Sequence, residues 1–127
     1  MRRKLMTIAG VLLVLGTLFA AELLGVRMMA EDALYETEKI RQAVLSEDFA
    51  TAAALSQALD EAWDRQMTLL ETMIDHKAAD EVRFALSGLR AAIEAQDRTE
   101  SLILAAQLQG SVEHVRARQS LTIANIF

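Results

Sequence analysis

The chain begins with a short basic segment followed by an uncharged apolar run. Leu5–Ala21 contains no charged residue, and three basic residues precede it: Arg2, Arg3 and Lys4. As a helix this run is about 25 Å long, a little less than the hydrocarbon core of a bilayer. It extends to residue 24 if Glu22 lifts its carboxylate towards the interface. The pattern therefore predicts a membrane-spanning helix that contacts lipid through residues 5–24.

The flanking charges predict the orientation of this helix. Beyond the apolar run, Arg27 is the only basic residue before Lys39, and positively charged flanks stay in the cytoplasm. We therefore expect residues 1–25 to form a cytoplasmic basic flank and transmembrane anchor, and residues 26–127 an extracytoplasmic domain. A cleaved signal peptide is the competing interpretation. Its best cleavage site, Leu18-Phe19-Ala20, is poor, so we favour an uncleaved single-pass anchor at the cell membrane.

Beyond residue 25, apolar residues recur at steps of three and four, which is the spacing of one face of an α-helix. Four such stripes predict helices over about 28–45, 49–74, a third that ends near Gln96, and a fourth from residue 97 to about Gln119. The first could continue from the span through Gly25. The second contains Trp63 and is expected to lie at the centre of the core. The predicted fold is all-α, with an N-terminal transmembrane helix followed by an antiparallel four-helix domain.

Polar segments between the stripes predict the corners. Ser46-Glu47-Asp48 and Asp97-Arg98-Thr99-Glu100 are typical of helix N-caps, and Asp75-His76-Lys77 is expected to form the middle corner. An offset of 49 residues places Asp48 on Asp97 and aligns the apolar residues around them. The alignment indicates two helical hairpins with equivalent corners, although any two amphipathic hairpins with Asp caps would align similarly.

Composition narrows the range of functions. The net charge is −5, and it is −8 for Glu22 together with Arg27–Phe127. Such an acidic domain repels nucleic acid. The chain has no cysteine and no proline, so disulfides and thiolate ligands are excluded, and helix is favoured almost everywhere.

The sequence contains no recognised enzyme motif, and we predict no catalytic, cofactor or metal residue. One constellation offers an alternative. His76 and Asp80 are four residues apart and could present nitrogen and oxygen ligands to a divalent metal on one helix face, with His114 elsewhere. The simpler interpretation is a helix corner with Asp75 as the cap.

Three glycines and the apolar C-terminal segment predict where helices make contact with one another or with a partner. Gly10 and Gly16 would let another helix approach the span closely, whereas Gly110, inside the fourth stripe, predicts a close helix contact within the domain. The apolar segment Leu121–Phe127 is expected to dock back on the bundle, because a monomer rarely exposes such a patch.

Several of these segments together resemble the bacterial Domain-of-Unknown-Function 4363 family of small single-pass membrane proteins. The likeness includes Glu47-Asp48-Phe49, Trp63, Ile74-Asp75-His76 and the closing Leu121–Phe127. The closing segment is similar to the family's Leu-Ser/Thr-Leu-x-Asn-Ile ending, with Ile123 and Ala124 as departures. The family implies no activity, substrate or catalytic residue, and it suggests a YetF-like membrane protein as a partner. We therefore expect a non-enzymatic interaction or structural module; the alternative is a domain responsive to a ligand or divalent metal.

Overall fold

The computed structural model describes the backbone of residues 1–70 and 75–126, and the side chains of residues 1–70 and 75–118. Within these ranges the chain forms helices and no strand, which confirms the all-α prediction. The helices are α1 (Arg2–Leu45), α2 (Phe49–Leu70), α3 (His76–Glu94) and α4 (Arg98–Ile126).

Helix α1 has two different halves. Every large apolar side chain from Leu5 to Leu18 is more than half exposed, whereas one face of the helix is buried from Val26 to Val44. The helix passes through Gly25 without a break, as the sequence allowed. A Cβ placed on Gly25 would lie 3.7 Å from Leu70 Cδ2, an ordinary van der Waals distance, so the end of α2 lies beside α1 at this point.

The second half of α1 forms an antiparallel four-helix bundle with the other helices. It packs against α2 and α4, and α3 packs against the same two helices from the other side. Short corners join α1 to α2 and α3 to α4, as expected where neighbouring helices are antiparallel. The end of α2 and the start of α3 lie at the end of the bundle from which the exposed half of α1 leaves, since Leu70 lies against Gly25. We call this the proximal end, and the opposite end the distal end.

The two corners at the distal end have the same hydrogen bonds. The Asp48 and Asp97 N–H groups donate to the carbonyl five residues earlier, at 2.9 and 3.0 Å. The preceding residues, Glu47 and Gln96, have φ of 57° and 56°. Both corners are therefore Schellman motifs with a left-handed residue that is not glycine. They lie 49 residues apart, which confirms the predicted two hairpins with equivalent corners.

Each corner also starts the next helix. The Asp48 carboxylate accepts from the Thr51 hydroxyl at 2.7 Å and from the Thr51 N–H at 3.2 Å. Both hydrogen bonds hold the pKa of the Asp48 carboxyl below its usual value, and the one from the hydroxyl has the larger effect. The Asp97 carboxylate accepts from the Glu100 N–H at 3.0 Å. Both aspartates thus satisfy N–H groups that have no acceptor within the helix.

The core follows the predicted stripes. The 49-residue relation extends into it, because residues at equivalent positions on α1 and α3, and on α2 and α4, are buried together. The equivalent buried pairs are Ile40 and Leu89, Val44 and Ile93, Leu59 and Leu108, and Trp63 and Val112. Trp63 is 2% exposed, in agreement with its predicted place in the core.

Two expectations differ from the structure. Gly110 makes no close helix contact, since a Cβ there would meet nothing within 4 Å, and the prediction was wrong. The close approach is at Gly88, where a Cβ would lie 3.4 Å from two carbons of Leu104. Helix α4 also continues to Ile126 rather than ending near Gln119, because neither Gly nor Pro interrupts the sequence there.

Two predictions lie outside the described residues. The docking of Leu121–Phe127 concerns side chains beyond residue 118, and the predicted end of the second helix at Ile74 lies in the gap after Leu70.

Replacing Trp63 by alanine is expected to reduce stability by about 3–5 kcal/mol, the usual loss for a buried aromatic side chain. Trp63→Phe should cost much less. It keeps most of the apolar volume and removes an indole N–H that is buried without an acceptor in the described structure. Denaturant unfolding of the full chain in detergent, followed by circular dichroism, measures both. Equal losses for the two variants, or a water-like Trp63 emission spectrum, would contradict this assignment.

Glycine at position 47 should stabilise the protein by about 0.5–1 kcal/mol, since a left-handed residue with a Cβ is strained there. The matched control is Glu61→Gly, a charge-equivalent change at an exposed position inside α2, which should destabilise by about 1 kcal/mol. Thermal unfolding of the two variants provides the comparison. Destabilisation by Glu47→Gly would show that the Glu47 side chain contributes more than its backbone strain costs.

Candidate functional site

The two candidate ligands on α3 line one cavity. His76 is the first residue of α3 because Asp75 caps the helix, its carboxylate accepting from the Lys77 N–H at 3.0 Å. Asp80 follows one turn later. Both residues lie at a cavity of about 250 Å³ between α2 and α3. The predicted shared face is therefore present in the structure.

The walls of this cavity combine an ion pair with an apolar surface. Arg83 Nη2 lies 3.2 Å from Asp64 Oδ1, which links α3 to α2. Both side chains are more than half exposed, so the pair adds little stability. The remaining lining residues are Trp63, Met67, Thr68 and Ala79. The cavity offers mixed chemistry rather than a concentrated set of metal ligands.

His114 lies at a different place. Its Nδ1 atom is 3.3 Å from Glu81 Oε2, and both residues line a groove of about 610 Å³ between α3 and α4. His76 and His114 thus belong to separate cavities. Among the described residues, no group of three His, Asp or Glu side chains is arranged to hold a metal ion.

A second groove lies between α1 and α2, and the sequence patterns did not reveal it. Its volume is about 350 Å³. It is the 49-residue equivalent of the α3–α4 groove, with Asp32 in place of Glu81 and Arg65 in place of His114. The offset that relates the corners was the signal that could have identified it.

Two aromatic side chains at equivalent positions of α1 and α3 are exposed. Phe84 lines the α3–α4 groove and is 77% exposed, and Tyr35, its equivalent on α1, is 66% exposed. The Lys39 ammonium lies 5.2 Å from the centre of the Tyr35 ring, within the range of a cation–π contact.

The most extensive unusual surface is the first half of α1. An 18-residue window there has a mean hydropathy of 2.1, and none of it is buried. A Cβ added to Gly10 or Gly16 would meet nothing within 4 Å. This half of α1 is long and apolar enough to cross a membrane.

Comparison with protein families decides the relationship of the chain. The family model described as Domain of unknown function (DUF4363) matches residues 26–126. The chain belongs to this family. The match starts at Val26, the first buried residue of α1, so the DUF4363 domain coincides with the bundle. No curated protein matches the chain.

Micromolar Zn²⁺ or Ni²⁺ is expected to leave the melting temperature of the protein unchanged, because no group of three His, Asp or Glu side chains among the described residues is arranged to hold a metal ion. A metal that bound only the folded state would raise it. Thermal unfolding of the natural chain and of His76→Ala, with and without metal, measures this. A rise that His76→Ala abolishes would favour the metal-responsive alternative.

Proposed function

We propose that the chain is a single-pass membrane protein whose DUF4363 domain acts as a non-enzymatic interaction or structural module at the outer face of the cytoplasmic membrane. The observation that carries the proposal is the division of α1. Its first half exposes an apolar surface, and its second half is part of the bundle core. A bilayer is the solvent that fits the first half.

The continuity of α1 supports a structural role. A helix that runs unbroken from Arg2 to Leu45 transmits the position of the span directly to the domain. The bundle is therefore held at a fixed distance and orientation from the span, rather than at the end of a flexible linker. Such an arrangement suits a module that must meet another membrane protein in one geometry.

The span itself offers a surface for that partner. Gly10 and Gly16 leave the α1 backbone accessible, and close approach of backbones favours packing between membrane helices. The basic residues before the span support an N-terminus in the cytoplasm. A YetF-like membrane protein is the partner that the family resemblance implies.

The alternative function is a ligand- or metal-responsive domain that uses His76 and Asp80. The cavity between α2 and α3 supports it, because both side chains line that cavity. Its donor set is incomplete among the described residues, and the interaction module is the better supported of the two.

Photocrosslinking from the span tests the proposed partner surface. At 100° per residue, Leu13 lies between Gly10 and Gly16 around the helix, and Val11 lies on the opposite side. Both side chains are exposed. A photoreactive residue at Leu13 is expected to give one dominant protein adduct in native membranes, and the same residue at Val11 mainly lipid adducts. Lipid adducts alone from both positions, detected by mass spectrometry, would falsify the proposed surface.

A further inference from the structure

The proximal end of the bundle differs in charge from the rest of the domain. Gly25 lies against Leu70, and Arg118 Nη1 lies 3.5 Å from Asp75 Oδ2. These contacts place the last turn of α2, the first turn of α3 and residues 115–118 of α4 at the level where α1 leaves the bundle. Four basic residues occupy this level and form what we call the basic collar: Arg27, Lys77, Arg116 and Arg118.

The collar stands out against an acidic body. Without Arg2, Arg3 and Lys4, ten of the 13 basic residues remain, and all 18 acidic residues lie beyond the apolar run. The four basic residues of the collar share the proximal end with Glu22 and Asp75, which gives a net charge of +2 there. The other six basic residues and the fifteen other acidic residues of the described part give −9 for the body. The domain therefore has a strong charge asymmetry along the bundle axis.

Two ion pairs involve residues of the collar, and neither of them removes this asymmetry. Arg27 is paired with Glu31, one helical turn farther into the bundle, and its side chain is 70% exposed. The Arg118–Asp75 pair is already included in the charge of the proximal end. Exposed pairs of this kind contribute little stability.

Exposed apolar side chains lie at the same level as the collar. Leu24 is 58% exposed, Met28 55% and Leu69 79%. Apolar residues beside lysine and arginine are typical of protein surfaces that lie at the boundary between lipid headgroups and acyl chains. Charge and apolar exposure at the proximal end thus indicate the same kind of partner.

We propose that the basic collar docks the bundle on anionic lipid headgroups of the membrane that α1 spans. This proposal rests on the proposed membrane anchoring and adds a second contact to it. The collar binds headgroup phosphates, Met28 and Leu69 contact the acyl boundary, and the acidic body is repelled from the surface. The span and the collar together fix the tilt of the bundle relative to the membrane plane. The span alone would leave this tilt free to vary.

Spin labelling of the full chain tests the collar. The chain has no natural cysteine, so Leu69→Cys carries a single nitroxide at the proximal end and Ser46→Cys one at the distal end. The chain is placed in nanodiscs of phosphatidylcholine, alone or with roughly one-third phosphatidylglycerol. We expect the Leu69 label to gain access to oxygen and lose access to a water-soluble nickel reagent when phosphatidylglycerol is present. The Ser46 label should not change.

Charge variants provide the matched comparison. Lys77→Gln with Arg116→Gln should lower the ratio of docked to undocked protein by about fivefold for each charge removed, the factor that corresponds to about 1 kcal/mol per basic residue near an anionic surface. Lys39→Gln with Arg98→Gln removes two charges from the distal half and should have no effect. High salt should reproduce the effect of the collar variant.

The outcomes distinguish the collar from the anchor. If the chain co-elutes with nanodiscs but the Leu69 label is equally exposed to water in both lipid mixtures, the collar proposal is wrong. The proposed membrane anchor is unaffected by that result. Equal effects of the collar and distal variants would also overturn the collar proposal. A chain that does not enter nanodiscs at all would overturn both proposals. Circular dichroism of each variant confirms that the helices are retained.

Discussion

The structure depends on one helix whose two halves require different surroundings. Helix α1 contributes Ile40 and Val44 to the core through its second half, and it exposes an uninterrupted apolar surface through its first. Burial of apolar surface is the main favourable contribution to folding, so the second half is stable only within the bundle. The first half would leave in water an apolar surface larger than soluble monomers expose. The two halves share a backbone, and the bundle is therefore positioned by whatever surrounds the first half.

The bundle is built from two similar hairpins. Each has a Schellman motif followed by an aspartate cap, and each contributes equivalent buried residues. Interhelical ion pairs join the hairpins at α2 and α3 through Asp60 with Arg90 and Asp64 with Arg83. The equivalence extends to the surface, because the groove between the helices of each hairpin has a counterpart in the other. Arg65 in one and His114 in the other give these grooves different chemistry.

The periodic features of this fold could be predicted from the sequence. The apolar stripes identified the helices and the buried Trp63, and Asp48 and Asp97 identified the corners, because both signals are local. The glycine contacts could not be predicted in this way. Gly88 and Gly110 occupy similar helical sequence, and only the packing of Leu104 against α3 distinguishes them. The length of α4 was underestimated because apolar residues near the end of the chain are compatible with either a helix or a docked segment.

The candidate site was predictable only in part. The spacing of His76 and Asp80 correctly placed them on one face, but the separation of His114 from them depends on how α4 packs against α3. The basic collar could not be recognised along the chain, since its four residues come from three helices and are brought together by the bundle. The sequence alone shows an acidic domain, and the structure shows where its positive charge lies.

Cysteine accessibility in intact cells is the most direct test of the division of α1 between membrane and bundle. Single cysteines replace Val14, in the middle of the exposed apolar half, and Ser46, at the distal end of the bundle. The proposed topology predicts that an impermeant maleimide labels Ser46→Cys in intact cells and reaches Val14→Cys only after the membrane is dissolved. Labelling of Val14→Cys in intact cells, or labelling of Ser46→Cys only after lysis, would contradict it.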